Sequence, residues 1–238
     1  MFRLPEARGI INRMGFNNQG LDYLIQRVQQ AQYNGVLGIN IGKNFDTPVE
    51  RAVDDYLLCL HAAYEYADYI TINISSPNTP GLRTLQYGEE LQQLLKPLKR
   101  KQYELAEQHR RYVPLVVKVA PDLNEEAIQG MSEVFIDTGI DGLIATNTTL
   151  DKDLVQDFKY GTEQGGLSGK PLTHASTEVI RRFHQQLGND IPIIGVGGIM
   201  SADDAQAKLA AGARLVQLYS GFIYGGPGLI KDCVQRLG

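Results

Sequence analysis

Six short apolar runs punctuate the chain, at residues 36–41, 69–74, 114–119, 142–146, 191–196 and 214–219. Most are rich in Val, Ile and Leu at every position rather than at alternate ones. That is the pattern of parallel strands covered on both faces. Amphipathic stretches separate them. Residues 21–32 repeat Leu21, Leu24, Ile25 and Val28, and residues 49–66 carry Val53, Leu57, Leu60 and Tyr64. Further helices are predicted over 89–108, where Pro97 is expected to kink the axis, and over 124–138, 176–187, 201–211 and 228–237. Asn124 followed by two glutamates, and Ser201 followed by Asp203 and Asp204, supply start signals: an N-cap oxygen and acids that suit the helix dipole.

Strands alternating with helices mean an α/β fold, either a doubly wound sheet or a barrel. The strand ends favour the barrel. The six runs close on Asn40, on Asn73, on Lys118, on Thr146 and Asn147, on Gly197 and Gly198, and on Tyr219 and Ser220. In a (β/α)8 TIM barrel the C-terminal strand ends build the active site, so six polar ends in a row predict one ring of groups around one ligand. The expected architecture is a single domain over residues 1–238 that supplies about six of the eight βα units. Two long connections, 75–87 and 150–171, have the length of functional loops.

Composition narrows the function by exclusion. The chain has 238 residues and a formal net charge of −4, which gives no reason to expect a nucleic-acid groove. The two cysteines, Cys59 and Cys233, form no CxxC pair, and the four histidines fall in helical stretches without metal-ligand spacing. No metal site is expected. No apolar run approaches the roughly 20 residues of a spanning helix, and no signal peptide is expected.

Four features carry candidate chemistry. Lys118 stands inside VVKVAP, where a charge is costly unless paired or neutralised. It reads as a lysine snorkelling to solvent, a Schiff-base lysine, or a cation facing an electron-rich cofactor. Asn12, Asn73, Asn78 and Asn147 can each donate and accept, which suits a planar ligand alternating N–H and C=O, such as a pyrimidine. Any one of them alone would more ordinarily be a turn former. The GVGGI turn at 195–199 before a helix, with Tyr219-Ser220-Gly221 after the last strand, has the form of a barrel phosphate site. Ser75 and Ser76 follow Asn73 directly. With no histidine in the motif segments, a Ser-His-Asp hydrolase is improbable, and the residues alone assign Ser76 no role.

The strings INRMGFNN, GINIGKN, NISSPNTPGLRTLQ, VKVAPDL, DGLIATNTT, GGLSGKPL, IIGVGGI and LVQLYSGFIYGGP span nearly the whole chain. In this set and order the sequence resembles the quinone-linked, membrane-associated class of dihydroorotate dehydrogenases. The resemblance implies FMN-dependent oxidation of dihydroorotate to orotate in pyrimidine biosynthesis, with quinone as acceptor. It implies Ser76 as the catalytic base, where the soluble classes carry cysteine. It implies FMN contacts from Asn40, Asn73, Lys118, Thr146, Gly169, Gly198, Tyr219 and Ser220. The substrate would be lined by Asn12, Arg13, Met14, Gly15, Phe16, Asn73, Asn78, Asn147 and Thr148. The protein would be cytoplasmic, or peripheral on the cytoplasmic face of the inner membrane.

Members of that family carry further residues upstream that supply a hydrophobic helical pair and two barrel strands, so the chain reads as N-terminally truncated. By itself it is expected to bind FMN weakly, turn over poorly, and aggregate or dimerise through open edges. Two rival readings are a Schiff-base barrel enzyme acting through Lys118 and a non-catalytic barrel remnant.

Overall fold

The computed structural model describes all residues 1–238. Its strands are β1 Phe2–Leu4, β2 Gly9–Asn12, β3 Gly38–Ile41, β4 Tyr69–Asn73, β5 Leu115–Val119, β6 Gly142–Ala145, β7 Gly166–Gly169, β8 Ile193–Val196 and β9 Ala213–Gln217. Its helices are α1 Leu21–Gln30, α2 Ala52–Ala63, α3 Gly88–His109, α4 Glu125–Thr138, α5 Thr173–Leu187, α6 Ala202–Ala210 and α7 Ser220–Leu237.

The six predicted runs form one parallel sheet in the order β3-β4-β5-β6-β8-β9. Their outward residues, among them Ile39, Ile70, Ile72, Leu115, Val117, Leu143 and Ile193, pack against helical Leu60, Leu94, Leu98, Phe135 and Phe183 in the main core. Each such side chain removed from water contributes about 1.5–3 kcal/mol. The alternate residues, Thr71, Asn73, Val116, Lys118 and Ile144, line the inner face, because successive side chains of a strand point to opposite sides. The result is a partial (β/α) barrel whose helices cover the outside. β3 and β9 end the sheet and pair with nothing further.

Helix starts follow the predicted caps. The Asn124 side chain accepts from the Ala127 N–H at 2.9 Å. Ser201 accepts from Asp204 N–H at 3.2 Å while the Asp204 carboxylate accepts from Met200 N–H at 3.0 Å. α3 runs unbroken through Pro97. The last helix begins earlier than the predicted 228, at Ser220, and is interrupted at Gly226, whose φ of 65° leaves the helical region.

A second sheet was not foreseen. β1, β2 and β7 form a small antiparallel sheet, with Ile10 opposite Ser168. It forms because Gly169 allows the close approach: with φ at 90°, a Cβ there would lie 2.4 Å from the Arg8 carbonyl oxygen. Leu4, Ile11, Val155 and Leu167 give it a small core of its own. The Tyr224 hydroxyl, 2.9 Å from the Gly9 carbonyl oxygen, ties it to α7.

Candidate active site

At the C-terminal ends of β5, β6, β8 and β9 lies a cavity of about 490 Å³, with β2 and β7 forming part of its wall. Ten of the sequence-predicted site residues line it: Asn12, Met14, Lys118, Thr146, Asn147, Thr148, Gly169, Gly198, Tyr219 and Ser220. They come from both sheets and from four strand ends, so the ring exists only once the fold has closed around it.

Lys118 enters from β5, between Asn73 of β4 and Ile144 of β6. Burial holds its ammonium below the usual lysine range. It takes part in none of the ion pairs and none of the side-chain hydrogen bonds of the protein. A cation placed in a cavity without a protein counter-charge is suited to an anionic or electron-rich ligand.

Beside it runs a chain of amides and hydroxyls. Asn147 Nδ2 donates to Ser75 Oγ at 3.0 Å and to Asn73 Oδ1 at 3.4 Å. Ser75 Oγ donates to the same Asn73 oxygen at 3.0 Å. Asn73 is therefore buried behind Asn147 and does not line the cavity. Asn78 Nδ2 donates to the Asn12 carbonyl and side-chain oxygens at 3.1 and 3.3 Å, which fixes Asn12 at the cavity wall. Ser76 lies on this loop, nearly buried, its hydroxyl accepting from Asn78 N–H at 3.3 Å.

The glycine turn after β8 forms another part of the wall. Gly197 and Gly198 have φ of 116° and 69°, and a Cβ on Gly198 would lie 2.3 Å from Thr173 N. Their carbonyls are taken up by α5: Ser176 Oγ donates to Gly197 O at 2.8 Å and Thr173 Oγ1 to Gly198 O at 2.6 Å. The amide N–H groups of Gly198 and Ile199, on the other side of those peptides, have no protein acceptor. Both residues line the cavity. Orphan N–H groups beside the first turn of α7 are a place for an anion.

Other predicted residues stand apart from the cavity. Arg13 pairs with Glu163 at 3.0 Å and lies over the Phe2 ring at the rim. Gly15 packs on the Asn78 carbonyl, and the Phe16 ring covers Gly42, so both brace the loop after β2. Asn40 is exposed on the inner face of β3, with no polar side-chain contact.

Sequence reasoning missed Arg83. Its guanidinium donates to Ser75 O at 3.0 Å and Thr148 O at 2.8 Å and pairs with Asp122 at 2.7 Å. Asp122 in turn accepts from the Leu150 N–H at 3.1 Å and from the Thr149 hydroxyl. Arg83 thus locks the loop after β4 to the loop after β6. Its place inside the NISSPNTPGLRTLQ string was the available signal. Lys208, buried behind the glycine turn, was missed as well, since it reads as one more polar position of a helix.

The profile of the dihydroorotate dehydrogenase family matches residues 1–238. The chain is 59% identical over 237 residues to a dihydroorotate dehydrogenase (quinone) of Vibrio parahaemolyticus and 60% identical to one of Vibrio vulnificus. Both alignments cover 100% of this chain and 70% of the relative. Among solved structures it is similar to DHODH from Eimeria tenella in complex with ferulenol, with TM-score 0.93 and 36% identity over 99% of this chain and 68% of that one. The ligand-free form from the same organism matches with TM-score 0.91 and 37% identity. By the profile over its whole length and by these relatives, the chain belongs to the dihydroorotate dehydrogenase family.

Proposed function

We propose that the protein oxidises dihydroorotate to orotate with FMN as resident cofactor and a quinone as final electron acceptor. The observation that carries this reading is the unpaired Lys118 in a cavity that also holds the orphan N–H groups of Gly198 and Ile199. The glycine turn suits a phosphate, and Lys118 suits the electron-rich edge of a flavin ring. The relatives named above as quinone-linked dihydroorotate dehydrogenases support the substrate and the acceptor.

The residues present fit such a group. Gly198, Ile199 and Ser220 would hold its phosphate. Lys118 would stand against its pyrimidine edge, with Thr146, Gly169 and Tyr219 around it; Asn73 would act only through Asn147, and Asn40 lies outside the cavity lining. Bound there, FMN supplies a hydride acceptor. Asn12, Asn147 and Thr148, positioned by Asn73 and Asn78, would hold the planar substrate, with Arg13, Met14, Gly15 and Phe16 shaping the loop over it. Ser76 would take the proton from C5 of dihydroorotate. A serine hydroxyl is a weak base, so it needs a route that carries the proton onward. Its Oγ already accepts from Asn78 N–H, which leaves its own proton free to pass to water.

No helix is long and apolar enough to cross a membrane. A membrane-dissolved quinone would be met by peripheral contact, from the cytoplasmic side of the inner membrane, a reading supported by the quinone-linked relatives. With family membership, the Schiff-base aldolase reading of Lys118 loses its ground.

The test is anaerobic. Dihydroorotate added to FMN-loaded protein bleaches the flavin absorbance, and a soluble quinone restores it. A flavin that stays oxidised under excess dihydroorotate would refute the reading.

A further inference from the structure

Lys208 of α6 is fully buried, with no accessible surface. Its Nζ donates to Ser176 Oγ at 2.5 Å, to Thr177 Oγ1 at 2.6 Å and to the Thr173 carbonyl at 2.9 Å. All three acceptors are neutral. No carboxylate lies within ion-pair reach of it. Yet a buried ammonium without a counter-charge is among the costliest groups a fold can hold.

Its acceptors explain its placement. Ser176 and Thr173, which receive Lys208, are the same two residues whose hydroxyls donate to the Gly197 and Gly198 carbonyls. One branch from the ammonium to the glycine turn runs through the Ser176 hydroxyl, and the other through Thr173, main-chain carbonyl and then hydroxyl. The opposite edges of those two peptides are the orphan N–H groups of Gly198 and Ile199.

We propose that Lys208 is a positioning residue and the buried counter-charge of the Gly197–Gly198 turn, and that a phosphate monoester bound on the turn keeps Lys208 protonated. This rests on the phosphate reading of the turn given above. It assigns the missing counter-anion of Lys208 to the ligand and makes ligand binding and proton uptake by the protein one linked event.

The surroundings support the linkage. Burial lowers the Lys208 ammonium to about 7, against which Asp204 on the same helix acts. The Asp204 carboxylate is itself engaged by the Met200 N–H and the Ser201 hydroxyl. From α5 the facing groups are Thr173, Ser176 and Thr177, while Glu178 is taken by Arg181 and Arg182, and His174 is exposed. β8 presents Gly195. α7 brings Cys233, whose thiol burial pushes up, together with Asp232 acting on that thiol and Arg236 paired with Asp203. Among these Lys208 is the cation that is fully buried without an ion-pair partner.

The sign follows from linkage. In the free protein Lys208 loses its proton as pH rises through about 7. A bound dianion raises that value, so binding takes up a proton above pH 7 and weakens as pH rises. The phosphate's own second ionisation lies near 6 and is complete over the window concerned.

The experiment compares FMN with riboflavin, which has the same ring and no phosphate. Binding of each to the apoprotein is followed by quenching of flavin fluorescence at pH 7 and pH 9. The native protein is expected to prefer FMN at pH 7 and to lose about tenfold of that preference by pH 9. In Lys208→Met, checked for folding by circular dichroism, the preference should be about tenfold smaller at pH 7 and flat with pH. Riboflavin affinity should be unchanged. A preference independent of pH in the native protein overturns the proposal even where the variant does not fold. A Lys208→Met protein that keeps both the preference and its slope overturns it as well. Equal binding of FMN and riboflavin at pH 7 removes the phosphate site itself, a different failure from the other two.

Discussion

The side-chain amide of Asn147 donates to the hydroxyl of Ser75 at 3.0 Å, and through it the loop after β6 is joined to the loop after β4. Ser75 in turn donates to Asn73, so three residues from two strand ends share one hydrogen-bond chain. Arg83 binds the same two loops from behind, at the Ser75 and Thr148 carbonyls. Ser76 is the next residue along. Its position is set by neighbours that are themselves fixed, as a proton-transferring group needs.

This placement gives the first prediction. With FMN bound, Ser76→Ala should slow reduction of the flavin by dihydroorotate by roughly 100-fold or more, the usual share of a general base. FMN affinity should be unaffected, because Ser76 is hydrogen-bonded to Asn78 and to none of the groups proposed to hold the cofactor. Ser76→Cys should retain part of the rate. Stopped-flow reduction measures both, and a Ser76→Ala protein reduced at the native rate would reduce Ser76 to a loop residue.

Lys118 carries a second prediction, in which stability and function oppose each other. Its ammonium lies in the cavity without a partner. Lys118→Met should therefore stabilise the apoprotein at pH 7 by about 1 kcal/mol while slowing flavin reduction. The pH dependence has a definite sign. Burial lowers the folded-state value below that of the unfolded chain, so between the two values the unfolded state holds a proton the native state has released. Stability conferred by the native lysine then rises with pH across that window. The melting-temperature advantage of Lys118→Met should shrink from pH 7 toward pH 10, and a constant advantage would contradict the assignment.

How much of this was legible before the structure depends on the distance over which each signal acts. The central strands β4, β5 and β6 were readable because both faces are buried, so hydrophobicity accumulates within a few residues of chain. Lys118 was readable as a charge where the pattern demands none. The antiparallel sheet was not. β7 is Gly-Leu-Ser-Gly, a string with little strand propensity, and it is a strand only because β2 lies alongside it. Arg83 and Lys208 were equally silent, since a charged residue in a loop or helix is ordinarily solvated. Only the fold shows that one clamps two loops and the other is enclosed.

At the opposite end of the sheet a third prediction concerns stability alone. Asp141, just before β6, accepts from Lys99 at 3.2 Å, Gln102 at 2.8 Å, Tyr112 at 2.5 Å and the Leu115 N–H at 2.8 Å. Lys99 is buried, so removing the carboxylate leaves a cation without its partner. Asp141→Ala should cost about 3 kcal/mol, lowering the melting temperature by roughly 6–12 °C for a chain of this size. The site lies at the N-terminal strand ends, away from the cavity, so protein that remains folded should bind FMN as the native chain does. Loss of FMN affinity without loss of melting temperature would mean that Asp141 acts on the cavity instead.

The last prediction concerns the sheet edges. β3 and β9 pair with nothing beyond β4 and β8. Between them the inner face is accessible: Leu215 is 63% exposed and Tyr219 77%. The one polar side-chain contact spanning this face joins Gln217 of β9 to the Tyr69 hydroxyl of β4 at 3.3 Å. Unpaired edge strands beside exposed apolar side chains are templates for pairing with another chain. The protein should therefore associate with itself in a concentration-dependent way, giving dimers or larger species in sedimentation velocity at micromolar concentration. Leu215→Lys places a charge on the exposed inner face of β9, the device by which edge strands resist pairing. It should shift the population toward monomer without lowering the melting temperature, because Leu215 contributes nothing to the buried core. A native protein that sediments as a monomer throughout, or a Leu215→Lys variant that associates as the native chain does, would show that these edges are protected in solution by the twist and curl that bring Gln217 to Tyr69.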